Sequence, residues 1–493
     1  MSHTPRLTPT LLRRAVAAGM GSLALASLPA LANYGTLPEA AGVDLPIPAQ
    51  VGDDGEALFY QGALYHRDIS AVQHAMASVG RIMRDSEMGH EDYAPELADA
   101  PMAAQGQAWL DLQNQAAAFF TDEGAVGTMV QENGEWEPGR EMNLADLAQA
   151  AFSYHMHHSG GRWAGHGLEN AITYGPAGYL GAITQRLYES HYGQRGFQDV
   201  ESERDAASLA HGLDVLHSLA YSWVRWDKPG GADDMGQLSE ERMEAAHGIS
   251  LERLVDISRN LAGTLDAAWD DERKVYDLDN DGAYHLDTLG SLVRGHKALY
   301  EILYVFGDEE GRALAEQLFE RKADMTLALL DSDEAVRDWG MAERVVYTEE
   351  GVQADGERID TESQWRFLNH FAGGFGTLRE REGTSSFLET RPELGERIGE
   401  LSDRLLQAAL DYQLGEDGLM QRRLAVADGE VIDERRQVAA IAWFATAAGN
   451  AYRSGEAFER PGDWGDDAEL EARSRELYGA IRTNNDWLMT LLD

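Results

Sequence analysis

Residues 281–304, DGAYHLDTLGSLVRGHKALYEILY, decide the fold, because their pattern returns twice. Leu286-Asp287 opens the apolar run of this stretch. Seventy-three residues later Ile359-Asp360 opens IDTESQWRFLNHFAGGF (359–375), and seventy-three after that Ile432-Asp433 opens IDERRQVAAIAWFATAAG (432–449). Each is preceded by an Asp-Gly pair: Asp281-Gly282, Asp355-Gly356 and Asp428-Gly429. Asp-Gly between short β-prone segments marks a tight hairpin turn, since glycine tolerates positive φ. The Asp that follows reads as a helix N-cap, its carboxylate accepting from free N–H groups of the first turn. Apolar residues then recur three and four apart, as at Leu289, Leu292, Val293 and Leu299, the period of a helix with a buried face. The unit is helix, hairpin, cap, helix at a fixed period, and such periods signify arrays.

Working outward, the same period places helices from about Ile69 to Arg84, Ser202 to Trp226, Leu238 to Trp269, Asp287 to Phe306 and Glu309 to Leu330. Others run from about Thr361 to Arg381, Pro392 to Leu414, Glu434 to Ala451 and Asp467 to Leu492. An earlier, less regular unit has a helix in AQGQAWLDLQNQAAAFF (104–120), a turn at Asn133-Gly134 and a cap at Asn143. ALFYQGALY (57–65) reads as a short hairpin. Strand signals are otherwise confined to RKVYDL (273–278), ERVVYTEE (343–350) and GLMQRRLAVADGEVID (418–433). No βαβ unit and no nucleotide fingerprint after a strand occurs, so neither a nucleotide nor a flavin cofactor is expected.

Residues 1–32 read as a signal peptide: basic Arg6, Arg13 and Arg14, an apolar Ala15–Leu28 segment, and the small-x-small site Ala30-Leu31-Ala32. Arg13-Arg14 also permits twin-arginine export. No run reaches the ~18 apolar residues of a spanning helix. The expected product is periplasmic or secreted after cleavage near Ala32. Its plan is an extended strap over 33–68 and one helical domain over 69–493. Cysteine is absent, which excludes thiol nucleophiles and thiolate metal sites. The chain carries 85 acids against 41 bases, a formal charge of −44. Removing the signal segment leaves 38 bases and a balance of −47. Such a surface repels nucleic acid and anionic membranes, and suits a salty medium where carboxylates hold water and their charge is screened. Neither nucleic acid nor a membrane is expected as a partner; the oligomeric state is left open.

Roughly six 73-residue units fill the mature length. Closed on one another, they give an all-α (α/α)6-type toroid with short β-hairpins at one mouth. In this the chain resembles the (α/α)-toroid proteins, among which are glycoside hydrolases, polysaccharide lyases and sugar epimerases. The resemblance is carried by the repeat over about 265–450. It implies a carbohydrate-active enzyme, a hydrolase or lyase acting on an oligosaccharide or polysaccharide.

Candidate residues follow from where the units differ. Asp287 and Asp360 share one repeat position, and Glu362 stands two residues on, where the other units have Leu289 and Arg435. Glycoside cleavage needs one protonated carboxyl and one carboxylate, so Glu362, Asp360 and Asp287 are the catalytic candidates. Trp365 and His370 follow on the same helix as substrate contacts. Before the glycine-rich stretch 159–167 lie Tyr154, His155 and His158; within it lie Arg162, Trp163 and His166. Arginine pairs with a sugar carboxylate and tryptophan stacks on a sugar face, which makes Arg162, Trp163 and Tyr154 substrate candidates. The alternative is a non-enzymatic binding or metal-handling protein, with His155, His158 and His166 holding copper or zinc. Asp277-x-Asp279-x-Asp281-Gly282 matches the first half of a calcium loop, but Thr288 stands where the loop's glutamate belongs. Calcium remains an expectation for these three aspartates.

Overall fold

A computed structural model of the chain describes residues 46–52, 56–87, 124–133, 135–151, 205–227, 249–279, 281–375, 391–433, 435–454 and 468–492, with shorter pieces between 105 and 121, at 192–193 and 196–197, and between 239 and 244. Its helices are α1 (His66–Glu87), α2 (Ala206–Asp227), α3 (Leu251–Ala268), α4 (Leu286–Phe306), α5 (Glu309–Leu330), α6 (Thr361–Gly373), α7 (Pro392–Ala408), α8 (Val438–Ser454) and α9 (Ala468–Met489). Residues 144–151 are helical too. None of the described helices is long and apolar enough to cross a membrane.

The helices are of two kinds. In α3 a single stripe is buried, Leu251, Leu254, Ile257, Leu261 and Leu265, so one face meets protein and the rest meets water. Its start is fixed by Ser250, whose side chain accepts from Arg253 N at 3.2 Å. In α4 burial runs around the whole helix and takes in Gly290, Ser291, Arg294, Gly295 and His296. A helix covered on all sides lies inside others. The inner helices α2, α4, α6 and α8 pack side by side in that order, and α8 then packs against α1. The outer helices α3, α5, α7 and α9 cover them, with α9 reaching both α8 and α1. First and last pairs therefore meet, and the fold is an (α/α)6-type toroid. The approach within the inner ring is close: a Cβ added to Gly295 of α4 would stand 2.4 Å from Cβ of Leu213 in α2.

Among the described residues, four three-stranded antiparallel sheets stand at the end of the ring where the inner helices start. Their strands are β1 (Gln50–Val51), β2 (Ala57–Leu58), β3 (Ala63–Tyr65), β4 (Thr128–Glu132), β5 (Glu135–Pro138), β6 (Ala283–His285), β7 (Arg344–Thr348), β8 (Gly351–Ala354), β9 (Arg358–Asp360), β10 (Arg423–Ala425), β11 (Val431–Asp433) and β12 (Arg436–Gln437). The strand that runs into an inner helix pairs with a hairpin from further along the chain. β3 takes β4–β5, β6 takes β7–β8, and β9 takes β10–β11. The fourth case departs from this rule. β12, which leads into α8, takes β1–β2 of the N-terminal strap, with Gln50 opposite Gln437 and Val51 opposite Arg436. Val438 N donates to Ala49 O at 3.1 Å beside it. The strap supplies the hairpin that a seventh unit would have supplied.

This wiring corrects several expectations. ALFYQGALY is not a hairpin: its two ends belong to different sheets, β2 to the strap sheet and β3 to the β4–β5 sheet. Only Asp428-Gly429 lies inside a hairpin. Asp281-Gly282 and Asp355-Gly356 instead join a strand of one sheet to the first strand of the next, though each glycine does adopt positive φ. The β7–β8 turn falls at Glu349-Glu350, with Gly351 carrying the positive φ. Of the three repeated aspartates only Asp360 caps a helix, accepting from Ser363 N at 3.2 Å. Asp287 sits inside the first turn of α4, after His285, and Asp433 ends β11. The helix expected from Glu434 begins at Val438, because Arg436 and Gln437 are held as strand by the strap.

Candidate active site

Among the described residues α1, α4, α6 and α8 each begin at the end of a sheet strand, so the first turns of different units converge on one mouth. α1 brings His66, Arg67 and Asp68; residues 144–151 bring Asp146; α4 brings Asp287; α6 brings Glu362 and Arg366. Gln149 Nε2 donates to Arg67 O at 2.6 Å, tying two of these starts together. Thr361 Oγ1 donates to Gln421 O at 2.6 Å, which fixes α6 against the hairpin beside it. Arg67 keeps 44 % of its side chain accessible although protein surrounds it, and Asp287 keeps 24 %. Groups that are both wet and enclosed line a concavity.

Glu362 is half-buried and takes a bond from Gln437 Nε2 to Oε2 at 2.5 Å. Its Oε1 carries no hydrogen bond from the described residues. Burial pushes the Glu362 carboxyl up; Arg67 opposes this, and the negative fields of Asp360 and Asp287 add to it. Asp287 behaves oppositely. Burial would raise it, but Arg366, with Nη2 2.5 Å from Oδ2, together with His285, takes it below the ordinary carboxylate range. Asp68, deeply buried, is raised to about 7 by burial and by Glu362 and Asp146, against the pull of Arg67.

A second shelf of contacts holds these groups. His285 Nε2 lies 3.1 Å from Glu343 Oε1, and its Nδ1 lies 3.8 Å from Asp287 Oδ2. Burial disfavours the imidazolium of His285, yet Glu343 and Asp287 outweigh it and the pKa is raised. His211 of α2 faces Arg366 and Asp287, has Nδ1 3.0 Å from Ser291 Oγ, and is held neutral with a pKa of about 3, chiefly by burial. Two turns below Asp287, Arg294 and Asp214 form a buried bidentate pair, Nη2 to Oδ2 2.7 Å, that joins α4 to α2.

The sequence candidates fall out as follows. Glu362, Asp360 and Asp287 share the mouth, but Asp360 is committed on both oxygens, to Ser363 N and to Arg423 Nε at 3.1 Å. Trp365 is wholly buried with its ring against Phe444 at 5.1 Å, and His370 lies buried against Trp443 at 5.7 Å. Both underlie the mouth and present no face to a ligand there. Asp277 is held by Arg273 and by Gly282 N at 3.1 Å, Asp279 accepts from Ala206 N at 3.0 Å, and Asp281 accepts from Ala283 N at 2.9 Å. Each of the three thus accepts from a different partner. Among the described residues no group of three or more His, Asp or Glu could hold a metal ion. Tyr154, His155, His158, Arg162, Trp163 and His166 lie outside the described residues.

Sequence reasoning passed over Arg67, Asp68 and Arg366, and read His211 as a core or surface residue. One signal was present: GALYHRD (62–68) parallels GAYHLD (282–287), a strand start followed by an acid in the next helical turn.

No family model matches the sequence, and no curated protein does. Among solved structures the chain is similar to a sugar epimerase from a ruminal bacterium, at 10% identity and TM-score 0.48 over 84% of this chain and 94% of that one. It is similar to cellobiose 2-epimerase from Bacillus thermoamylovorans B4167, at 10% identity and TM-score 0.47 over 84% and 94%. It is also similar to a D-mannose isomerase, at 12% identity and TM-score 0.46 over 85% and 94%.

Proposed function

We propose that the mouth is the active site of an exported carbohydrate-active hydrolase that cleaves a glycosidic bond. The observation that carries this reading is the opposite displacement of two carboxyls in neighbouring first turns, Glu362 raised and Asp287 lowered. Environments that push paired carboxyls apart assign an acid and a base. Glu362, its carboxyl raised by burial and its Oε1 without a hydrogen bond from the described residues, gives its proton to the leaving glycosidic oxygen as the C–O bond breaks. Asp287, ionised beside Arg366, faces the positive charge that develops at the anomeric carbon and takes a proton from the attacking water. That water supplies the new hydroxyl, so one hemiacetal and one alcohol leave. Tyr60, 59 % exposed on the rim with its ring 6.0 Å from that of Tyr65, offers an aromatic platform for a sugar face. The export component rests on the signal-like residues 1–32.

The test is a saccharide screen followed by Glu362→Gln, which keeps the shape and removes the proton. Loss of general acid catalysis costs about 10²–10⁴ in rate, so turnover should drop by at least a hundredfold with the melting curve little changed. Full activity in Glu362→Gln would remove that residue from the chemistry. A protein inert toward every saccharide, but carrying copper or zinc lost on His155→Ala, would replace the hydrolase with a metal-handling role.

A further inference from the structure

Among the described residues the carboxyl of Glu362 accepts a single hydrogen bond, from Gln437 Nε2 to Oε2 at 2.5 Å. Gln437 does not stand in the helix that the repeat leads one to expect there. Ile432-Asp433 parallels Ile359-Asp360, yet α6 begins at Thr361, the residue after Asp360, whereas α8 begins at Val438, five residues after Asp433. Arg436-Gln437 is strand β12 instead, and the N-terminal strap makes it so. Gln50 pairs with Gln437, Val51 pairs with Arg436, and Val438 N donates to Ala49 O at 3.1 Å.

Extended backbone turns successive side chains to opposite faces, where a helix sets them only about 100° apart. On one face Arg436 binds Asp417 Oδ2, through Nε at 3.1 Å and Nη2 at 2.7 Å. On the other, Gln437 reaches Glu362. The Gln437 amide oxygen is buried and has no hydrogen-bond partner among the described residues. A buried acceptor left unmatched is destabilising. The backbone therefore holds this side chain where it is, and its donor serves Glu362. A protonated carboxyl has one hydroxyl and one carbonyl oxygen. An N–H donor selects the carbonyl oxygen, so a donor on Oε2 leaves the hydroxyl proton to Oε1.

We propose that Gln437 is a positioning residue for Glu362: its amide occupies Oε2 so that the acid carries its proton on Oε1, and the strap, by keeping β12 extended, holds Gln437 in place. The use of that proton rests on the hydrolase reading; the placement of Gln437 does not. The strap is thereby part of the site although none of its residues touches Glu362. When β12 loses its partner strand, Arg436 and Gln437 are released to the helical preference of the repeat, and the donor leaves Oε2.

Isotope-edited infrared spectroscopy of the full chain reads this without turnover, the Glu362 carboxyl band being the one that Glu362→Gln removes. Gln437→Leu keeps a side chain of similar bulk and removes the donor. Donation favours the ionised carboxylate most, so its loss should raise the midpoint of the Glu362 titration and move the carbonyl band of the protonated form to higher frequency. Val51→Pro alters neither residue and should move both in the same direction by undoing β12. The charges facing Glu362 are Arg67 and Asp68 from α1, Asp287 from α4, Asp360 and Arg366 at the start of α6, and Arg422 ahead of β10. All are retained in both variants, so a displaced midpoint reports the amide. An unchanged band and midpoint in Gln437→Leu would overturn the proposal. So would a lowered midpoint, which would mean that the amide accepts a proton carried on Oε2. A folded Val51→Pro protein with the parental band would overturn the part given to the strap. With a cleaved saccharide in hand, Gln437→Leu should lower kcat by about tenfold to a hundredfold with KM little changed. The two readings separate cleanly. Spectral shifts in a protein that cleaves no saccharide keep the positioning and remove the hydrolase; cleavage with the parental kcat in Gln437→Leu keeps the hydrolase and removes the positioning.

Discussion

Asp68 shows how much a single mouth residue costs the fold. Its carboxyl has an ordinary value of 3.8 and stands at about 7 here, raised first by burial. The folded protein therefore binds more protons than the unfolded chain between those values, and stability falls as pH rises from about 4 to about 7. The displacement is worth roughly 4 kcal/mol at pH 8. Asp68→Asn should remove it, so the gain in melting temperature over the parent should be near zero at pH 4 and largest above pH 7. His66, His211 and His296, each at about 3 by burial, contribute the opposite slope below their ordinary 6.5. The difference between parent and variant isolates Asp68. A gain that is constant with pH would contradict the assignment. At this scale legibility follows the period. Glu362 and Asp287 stand out because equivalent positions in three units can be compared. Arg67 and Asp68 belong to the first unit, where the spacing is irregular, and their chemistry depends on neighbours from α6 that no local pattern announces.

For the elements, the inner helices decide the molecule. Residues such as Leu289, Leu292 and Val293 make α4 legible as a helix, and its burial on all sides is legible from Gly290, Ser291, Gly295 and Ala298 interrupting any polar face. The close approach to α2 gives a direct test. Gly295→Ala places a methyl 2.4 Å from Leu213 Cβ and 3.1 Å from the Leu213 carbonyl carbon. Helix propensity favours alanine by up to ~1 kcal/mol, but backbone against backbone cannot yield as a flexible side chain does. Overpacking of this kind costs about 1–3 kcal/mol. We expect net destabilisation in chemical denaturation, and a neutral or stabilised variant would show that the two helices part easily. The turns were harder to read. Asp-Gly signals positive φ correctly at Gly282, Gly356 and Gly429, but positive φ serves a crossing between sheets as well as a hairpin, and only the pairing partners distinguish them.

Across the whole molecule the repeat reveals how many helix pairs there are, and leaves open how the first meets the last. There α1 packs against α8 and α9, and the hairpin over that junction comes from residues of no repetitive character, Gln50-Val51 lying between Ala57-Leu58 and Arg436-Gln437. It has a kinetic consequence. Contacts between residues close in sequence form at little loop-closure cost, whereas the strap must find a partner almost the full chain away. Neighbouring pairs can associate as a growing arc, and the arc becomes a ring only when both extremities exist. Strap contacts should then be absent from the rate-limiting barrier, so Val51→Pro, which disrupts the central strand of that sheet, should speed unfolding several-fold while leaving the folding rate nearly unchanged. A slowed folding limb in stopped-flow traces would show instead that the ends meet early. A latch engaged last is also released first, and this one is a strand two residues long laid over the α1–α8 packing.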